Sequence, residues 1–142
     1  MADLGNIITS KVRIKILELF FSNPKELYHV RGIVREIKEE INAVRRELTK
    51  LEADGLLRKE PRGNRVYYFL KPEHPFFGDL ISIVAKTKGL GATIIENKSK
   101  IGKVSFVMFS GKFTRLVLRK NDEAVDILVV GEVVLPELAA LI

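Results

Sequence analysis

Apolar residues recur at helical spacing from the start of the chain. Val12, Ile16, Leu19 and Phe20 form one stripe that opens behind the candidate caps Thr9 and Ser10 and stops at Ser22-Asn23-Pro24, which predicts a first helix. Val30, Ile33, Val34 and Ile37 repeat the i, i+3, i+4, i+7 pattern and predict a second, with Arg31, Arg35 and Lys38 directed away from the stripe. A third is predicted from about Ile41 to Ala53 on Ile41, Val44, Leu48 and Leu51, ended by Gly55, the residue type that most readily turns left-handed after a helix. Leu56-Leu57 then lead into Arg58-Lys59-Glu60, the turn-forming Pro61-Arg62-Gly63-Asn64 and the β-rich Arg65-Val66-Tyr67-Tyr68-Phe69-Leu70. That pattern reads as a hairpin with a basic tip.

Lys71-Pro72-Glu73-His74-Pro75 interrupts regular structure and marks a boundary between domains 1–72 and 73–142. Beyond it Phe76, Phe77, Leu80, Ile81, Ile83 and Val84 predict a linker helix to about Lys88, with an apolar face broader than one stripe requires. Such a helix wants two apolar neighbours. Phe76, Phe77, Leu80, Ile81 and Val84 are therefore candidate dimerisation residues, with burial inside one chain as the alternative. A further helix is predicted from Leu90 to about Ser99, then a buried strand Lys103–Phe109 and strands Thr114–Arg119 and Val125–Val130, bounded by Gly111, Asn121-Asp122 and Gly131. This order suggests a small α/β domain and an α+β chain as a whole. Pro136 to Ile142 can start a last helix with Pro in its first turn, and its apolar end should dock, a second subunit being one place for it.

At 142 residues the chain is one medium domain or two small ones, long enough to bury a core without staples. With no Cys there is neither a disulfide framework nor a thiolate metal site, and His29 and His74 lie too far apart in sequence to suggest structural zinc. No metal and no cofactor are expected. The longest run without a charge, Val104–Gly111, is eight residues, against the roughly 18 to 20 of a membrane span. With no leader-like segment at the start, the expectation is a cytoplasmic protein with no membrane partner. The net charge of +6 is unevenly spread: residues 1–71 hold 15 basic and 10 acidic side chains, residues 72–142 hold 9 and 8. A basic N-terminal half is what a polyanion-binding module needs, and also what an ordinary solvated basic surface looks like.

The third helix sharpens this. Opposite its apolar stripe lie Asn42, Arg46, Thr49 and Lys50, with Ala43 beside them and Arg45 on the flank, while Glu47 and Glu52 fall towards the buried side. Asn and Arg have the bidentate geometry that suits adenine and guanine edges in the major groove. Outward Arg and Lys are also common on any soluble helix. Arg62 and Arg65 at the hairpin tip, with Arg58 and Lys59 on the incoming strand, make a second basic surface able to reach backbone phosphates or the minor groove.

Val44-Arg45-Arg46-Glu47-Leu48, Leu51-Glu52, Gly55-Leu56-Leu57 and the basic hairpin after them resemble the recognition helix and wing of winged helix-turn-helix regulators of the ArsR type, over about Ile8 to Leu70. The resemblance implies an N-terminal winged helix-turn-helix of three helices plus a β-hairpin wing. It implies a recognition helix at about 41–53 in the major groove, with Asn42, Ala43, Arg45 and Arg46 near bases, and a wing at 58–65 on the backbone or minor groove. A homodimer on two half-sites of double-stranded DNA follows from the same resemblance. Metal-sensing members use Cys or His clusters that this chain lacks, and any small-molecule effector stays open.

In the second half, His74-Pro75-Phe76 through Lys86-Thr87, Val104 to Phe109 and Val125-Asp126-Ile127-Leu128-Val129-Val130-Gly131 resemble the minimal nucleotidyltransferase-type domain fused to winged helices in some prokaryotic regulators. There a Gly-Ser turn and an Asp-x-Asp pair hold Mg²⁺ and a nucleoside triphosphate, because two carboxylates on one strand face clamp the metal that bridges the phosphates. Here the turn reads Ser110-Gly111-Lys112, and Asp126 matches the second carboxylate with Ala124 at the first. A single carboxylate argues against transfer chemistry, so the half reads as an incomplete, non-enzymatic scaffold in which Ser110, Gly111, Lys112 and Asp126 remain candidate anion-binding residues. The expected function is a sequence-specific DNA-binding transcriptional regulator. The alternatives are a nucleotidyltransferase-type enzyme or nucleotide-binding protein acting through the C-terminal half, and a protein-interaction adaptor.

Overall fold

The computed structural model of the chain describes residues 4–110, 125 and 127–142. The first two helical stripes form α1 (Lys11–Ser22) and α2 (Val30–Ile37), with a two-residue strand, β1 (Tyr28–His29), between them. The third forms α3 (Ile41–Ala53). Ser10 caps α1, its Oγ accepting the Arg13 N–H at 3.2 Å. The stripe on α1 is wider than the spacing predicts: Ile16, Leu17, Phe20 and Phe21 are buried and Leu19 only half-buried, because both α2 and α3 pack on this helix. Ile33 and Ile37 from α2, Val44, Leu48 and Leu51 from α3, and Leu56, Leu57 and Leu70 complete one core. Each such side chain removed from water contributes about 1.5–3 kcal/mol.

The hairpin consists of β2 (Leu57–Arg62) and β3 (Arg65–Leu70), paired antiparallel from Leu57↔Leu70 to Arg62↔Arg65. Its turn is shorter than the sequence suggests. Only Gly63 and Asn64 lie outside the strands, with Gly63 at φ 63°, the left-handed first position of a two-residue turn. Pro61 and Arg62 belong to β2, which is an edge strand in the order β1-β3-β2 and so tolerates a residue without an N–H. β1 was not legible: it pairs antiparallel with β3, Tyr28 opposite Tyr68 and His29 opposite Tyr67. Phe20 meets the Tyr28 ring edge-on at 5.1 Å, which seats this short strand on the core.

The chain divides into two compact units between Leu80 and Ile81, inside α4 (Phe77–Thr87). Phe77 packs on Phe21 at 5.5 Å within the first unit. The predicted helix 90–99 is two: α5 (Gly89–Glu96) and the short α6 (Lys98–Ile101), separated at Asn97, whose Nδ2 donates to the Thr93 carbonyl at 2.9 Å. β4 (Gly102–Phe109) and β5 (Ile127–Val133) pair antiparallel, and α7 (Leu135–Ala139) follows and touches α6.

Three readings of this half change. The strand predicted to be buried exposes Phe106 and Met108, whose cross-strand neighbours Val130 and Leu128 are exposed too, so only the other face of the ribbon is covered. Gly131 does not end the last strand; it lies within it at φ 147°, beside the register shift between Val104 and Phe106, where a Cβ would collide with the Lys103 carbonyl. The small α/β domain is, in its described residues, an antiparallel ribbon preceded by α4–α6 and followed by α7, whose Leu135 remains exposed. The predicted strand 114–119 lies outside the described residues. In its described residues the architecture is mixed α+β with two small antiparallel sheets. Among the described residues no helix is long and apolar enough to cross a membrane.

The turn from α2 to α3 is tight and strained. Lys38 ends α2 at φ 54°, a left-handed conformation that a residue with a Cβ adopts at a cost. Lys38→Gly is expected to raise the stability of the first unit by about 0.5–1 kcal/mol in denaturant titration; a loss of stability would show that the Lys38 side chain contributes more than its backbone costs.

Candidate functional site

The orientation of α3 is set by acids that face inward or cap. Among the described residues Glu47 is the one charged side chain that is buried, accepting from Arg13 Nε at 2.7 Å and from Ser10 Oγ at 3.2 Å, so the start of α1 grips the inner side of α3. Lys15 fixes the turn before it, donating to the Ile37 carbonyl at 3.1 Å and to Glu39 at 2.6 Å. That hydrogen bond from Lys15 holds the Glu39 carboxyl below its ordinary value. Glu40 caps α3, accepting the N–H groups of Asn42 and Ala43, each at 2.9 Å. Those two bonds, helped by the charges of Arg46 and Arg45, also lower its pKa. The sequence reading did not assign Glu40 this role, although an acid directly before the first helical residue was the available signal. One consequence is that the free N–H groups of α3, ordinarily attractive to an anion, are occupied by the chain's own carboxylate.

With Glu47 inward, Asn42, Arg45, Arg46, Thr49 and Lys50 are exposed and Ala43 is half-buried. Thr49 donates to the Arg45 carbonyl at 2.9 Å. Lys50 stands 3.9 Å from Glu47. Among the described residues Arg45, Arg46 and Arg58 make no ion pair.

The pleat divides the hairpin cations that proximity in sequence had grouped. Arg58, Arg62 and Arg65 fall on one face by register, together with Glu60 and Tyr67. Lys59 falls on the other and approaches Glu52 at 3.7 Å. Arg62 pairs with Glu60 at 3.0 Å with both side chains about half exposed, an interaction worth about 0–1 kcal/mol that another anion can replace.

β1 brings to this surface residues that sequence reasoning missed. A cleft of about 450 Å³ opens between the start of α2, the flank of α3 and the hairpin tip, lined by His29, Arg31, Arg45, Asn64, Arg65 and their neighbours, with no carboxylate in its lining. His29 is the N-cap of α2, its Nδ1 accepting the Gly32 N–H at 3.1 Å, and its ring meets Tyr67 edge-on at 5.5 Å. Desolvation, and then the charges of Arg65, Arg35 and Arg31, press its pKa below the ordinary 6.5.

Ser110 is half-buried, and Gly111, Lys112 and Asp126 lie outside the described residues. Of the five residues named for dimerisation, Ile81 and Val84 are buried in the chain, Phe77 and Leu80 are half-buried and Phe76 is exposed. Among the described residues no group of three His, Cys, Asp or Glu side chains is placed to hold a metal ion. Comparison of the chain with known protein families, curated proteins and solved structures finds no match.

The lowered pKa of His29, caused first by desolvation and then by the nearby arginines, gives stability a pH dependence. A histidine whose folded pKa is depressed binds fewer protons folded than unfolded, so stability is full above about 6.5 and falls as the pH drops through the lower folded value. Glu39 and Glu40 add a second fall below their ordinary 4.5. Thermal melts between about pH 7 and pH 5 are expected to show the first step, flattened in His29→Asn, which keeps a capping acceptor but does not titrate; an unchanged slope in that variant rejects the assignment.

Proposed function

We propose that the chain is a sequence-specific DNA-binding transcriptional regulator whose first unit acts as a winged helix-turn-helix. The order α1, β1, α2, α3 and then a hairpin joined to β1 supports that reading, as does the tight α2–α3 turn. One observation carries it: the outer face of α3, with Asn42, Arg45, Arg46, Thr49 and Lys50 exposed, has no acid beyond its cap and adjoins a cleft lined by further arginines. In this proposal α3 enters the major groove, Arg46 and Asn42 meet base edges, and Arg58, Arg62 and Arg65 follow the backbone or the minor groove beside it. A homodimer on two half-sites is part of the proposal. The exposed cross-strand cluster Phe106, Met108, Leu128 and Val130 favours a second copy as its partner more than the partly covered stripe of α4 does.

Selection from random duplexes with the purified protein tests the reading, an enriched two-fold symmetric site with half-sites about one helical turn apart being the expected result. On that duplex Arg46→Ala is expected to cost about 1–3 kcal/mol and relax preference at one position, while Arg62→Ala weakens all duplexes alike and lowers the salt slope by about 1. Failure to enrich any site, with equal affinity for wild type and both variants, rejects the function.

A further inference from the structure

We infer that the cleft between α2, α3 and the hairpin tip is a seat for one phosphodiester group, with the neutral imidazole of His29 donating to it alongside the arginines. The inference rests on the DNA-binding proposal for the source of the phosphate and goes beyond it in assigning the site and its donors.

The proton inventory of His29 is the first argument. Its Nδ1 accepts from the Gly32 N–H, so in the neutral ring the proton sits on Nε2. Nε2 lies 3.4 Å from Nη1 of Arg65, and with the proton on Nε2 both atoms are donors. They therefore face each other with no acceptor for either among the described residues, and one oxygen bridging the two donors from the side would satisfy both.

Charge is the second. Arg65 stands opposite Arg62 as the closing pair of the hairpin, and like charges in that position are unfavourable. Glu60 relieves Arg62, whereas Arg65, Arg31 and Arg45 have no acid partner among the described residues. Three arginines and a histidine lining a cleft without carboxylates fit a multidentate oxyanion, for which charge-assisted bonds from Arg are strongest.

Size and the neighbouring helix select the kind of oxyanion. A volume of about 450 Å³ is in the range of small-molecule sites, roughly 300–1,000 Å³, and accommodates a phosphate with its flanking sugars more readily than a lone ion. The start of α3, the competing anion site nearby, is already filled by Glu40.

The test is a scan of the selected duplex with single methylphosphonates, which remove one backbone charge at a time, read against wild type, His29→Asn and Arg65→Ala. Asn at the cap retains an acceptor for Gly32 and deletes the Nε2–H donor, so a folded variant is expected. In wild type, one position per half-site should lose affinity when neutralised. His29→Asn should bind the unmodified duplex roughly threefold to tenfold more weakly and be insensitive at that same position, as should Arg65→Ala. The Nε2–H signal of His29 in proton–nitrogen spectra should shift on adding duplex.

Wild type that binds duplex with a scan profile shared by His29→Asn, and an unmoved His29 signal, overturns the seat and leaves the DNA-binding function standing. A shift produced by inorganic phosphate or pyrophosphate without any binding of duplex keeps the oxyanion seat and overturns the DNA source. No response to phosphate, pyrophosphate or duplex overturns both.

Discussion

Two residues of strand hold the candidate site together. Tyr28 and His29 pair with Tyr68 and Tyr67, and through those pairs the hairpin becomes the outer part of a three-stranded sheet attached to the helices. An isolated two-stranded hairpin is marginal in water, and β1 adds to the packing of β2 on α3 in fixing the arginines of its tip relative to α3. The same two residues serve the core and the surface. Tyr28 meets Phe20, while His29 caps α2 and turns its remaining ring nitrogen towards Arg65.

The second constraint is where the acids go. Residues 1–71 carry 10 acidic side chains, enough to neutralise most of the basic ones, yet the outer face of α3 is cationic because the nearby acids are engaged structurally. Glu47 is turned inward to Arg13 and Ser10, Glu40 closes the start of α3, Glu39 holds Lys15 and Glu52 faces Lys59. The Arg13 side chain is 35% exposed against 11% for Glu47, so solvent screens the pair in part. Its role in orienting α3 follows from its geometry: rotating α3 would bury arginines and expose the carboxylate. The distribution of acids, more than the net charge of +6, makes the surface suited to a polyanion.

The second unit is built differently. Its buried side chains among the described residues are few, chiefly Ile81, Val84, Ile94 and Ile101, and its ribbon leaves Phe106, Met108, Leu128 and Val130 in water. The inward face is adjusted by close backbone approach: Gly91 sits against the Ala85 carbonyl and Gly131 against Lys103, positions where a Cβ would not fit.

Local pattern was sufficient to place the first three helices. The stripe of α3 leads to Ile41–Ala53 and that of α2 to Val30–Ile37, because spacing of apolar residues and, for α3, termination at Gly55 act within a few residues. The outward set on α3 was legible for the same reason: helical periodicity assigns faces without knowledge of neighbours. The cleft was not. His29 and Arg65 are 36 positions apart and Ser10 and Glu47 are 37 apart, and a two-residue strand has no periodicity to show. Strand register likewise separated Arg58 from Lys59, and the shift near Val104 kept Gly131 inside its strand. Side-chain periodicity by itself therefore determined which residues face outward on α3. Only the tertiary structure decided which of them meet, because strand pairing and partly buried ion pairs join positions remote along the chain.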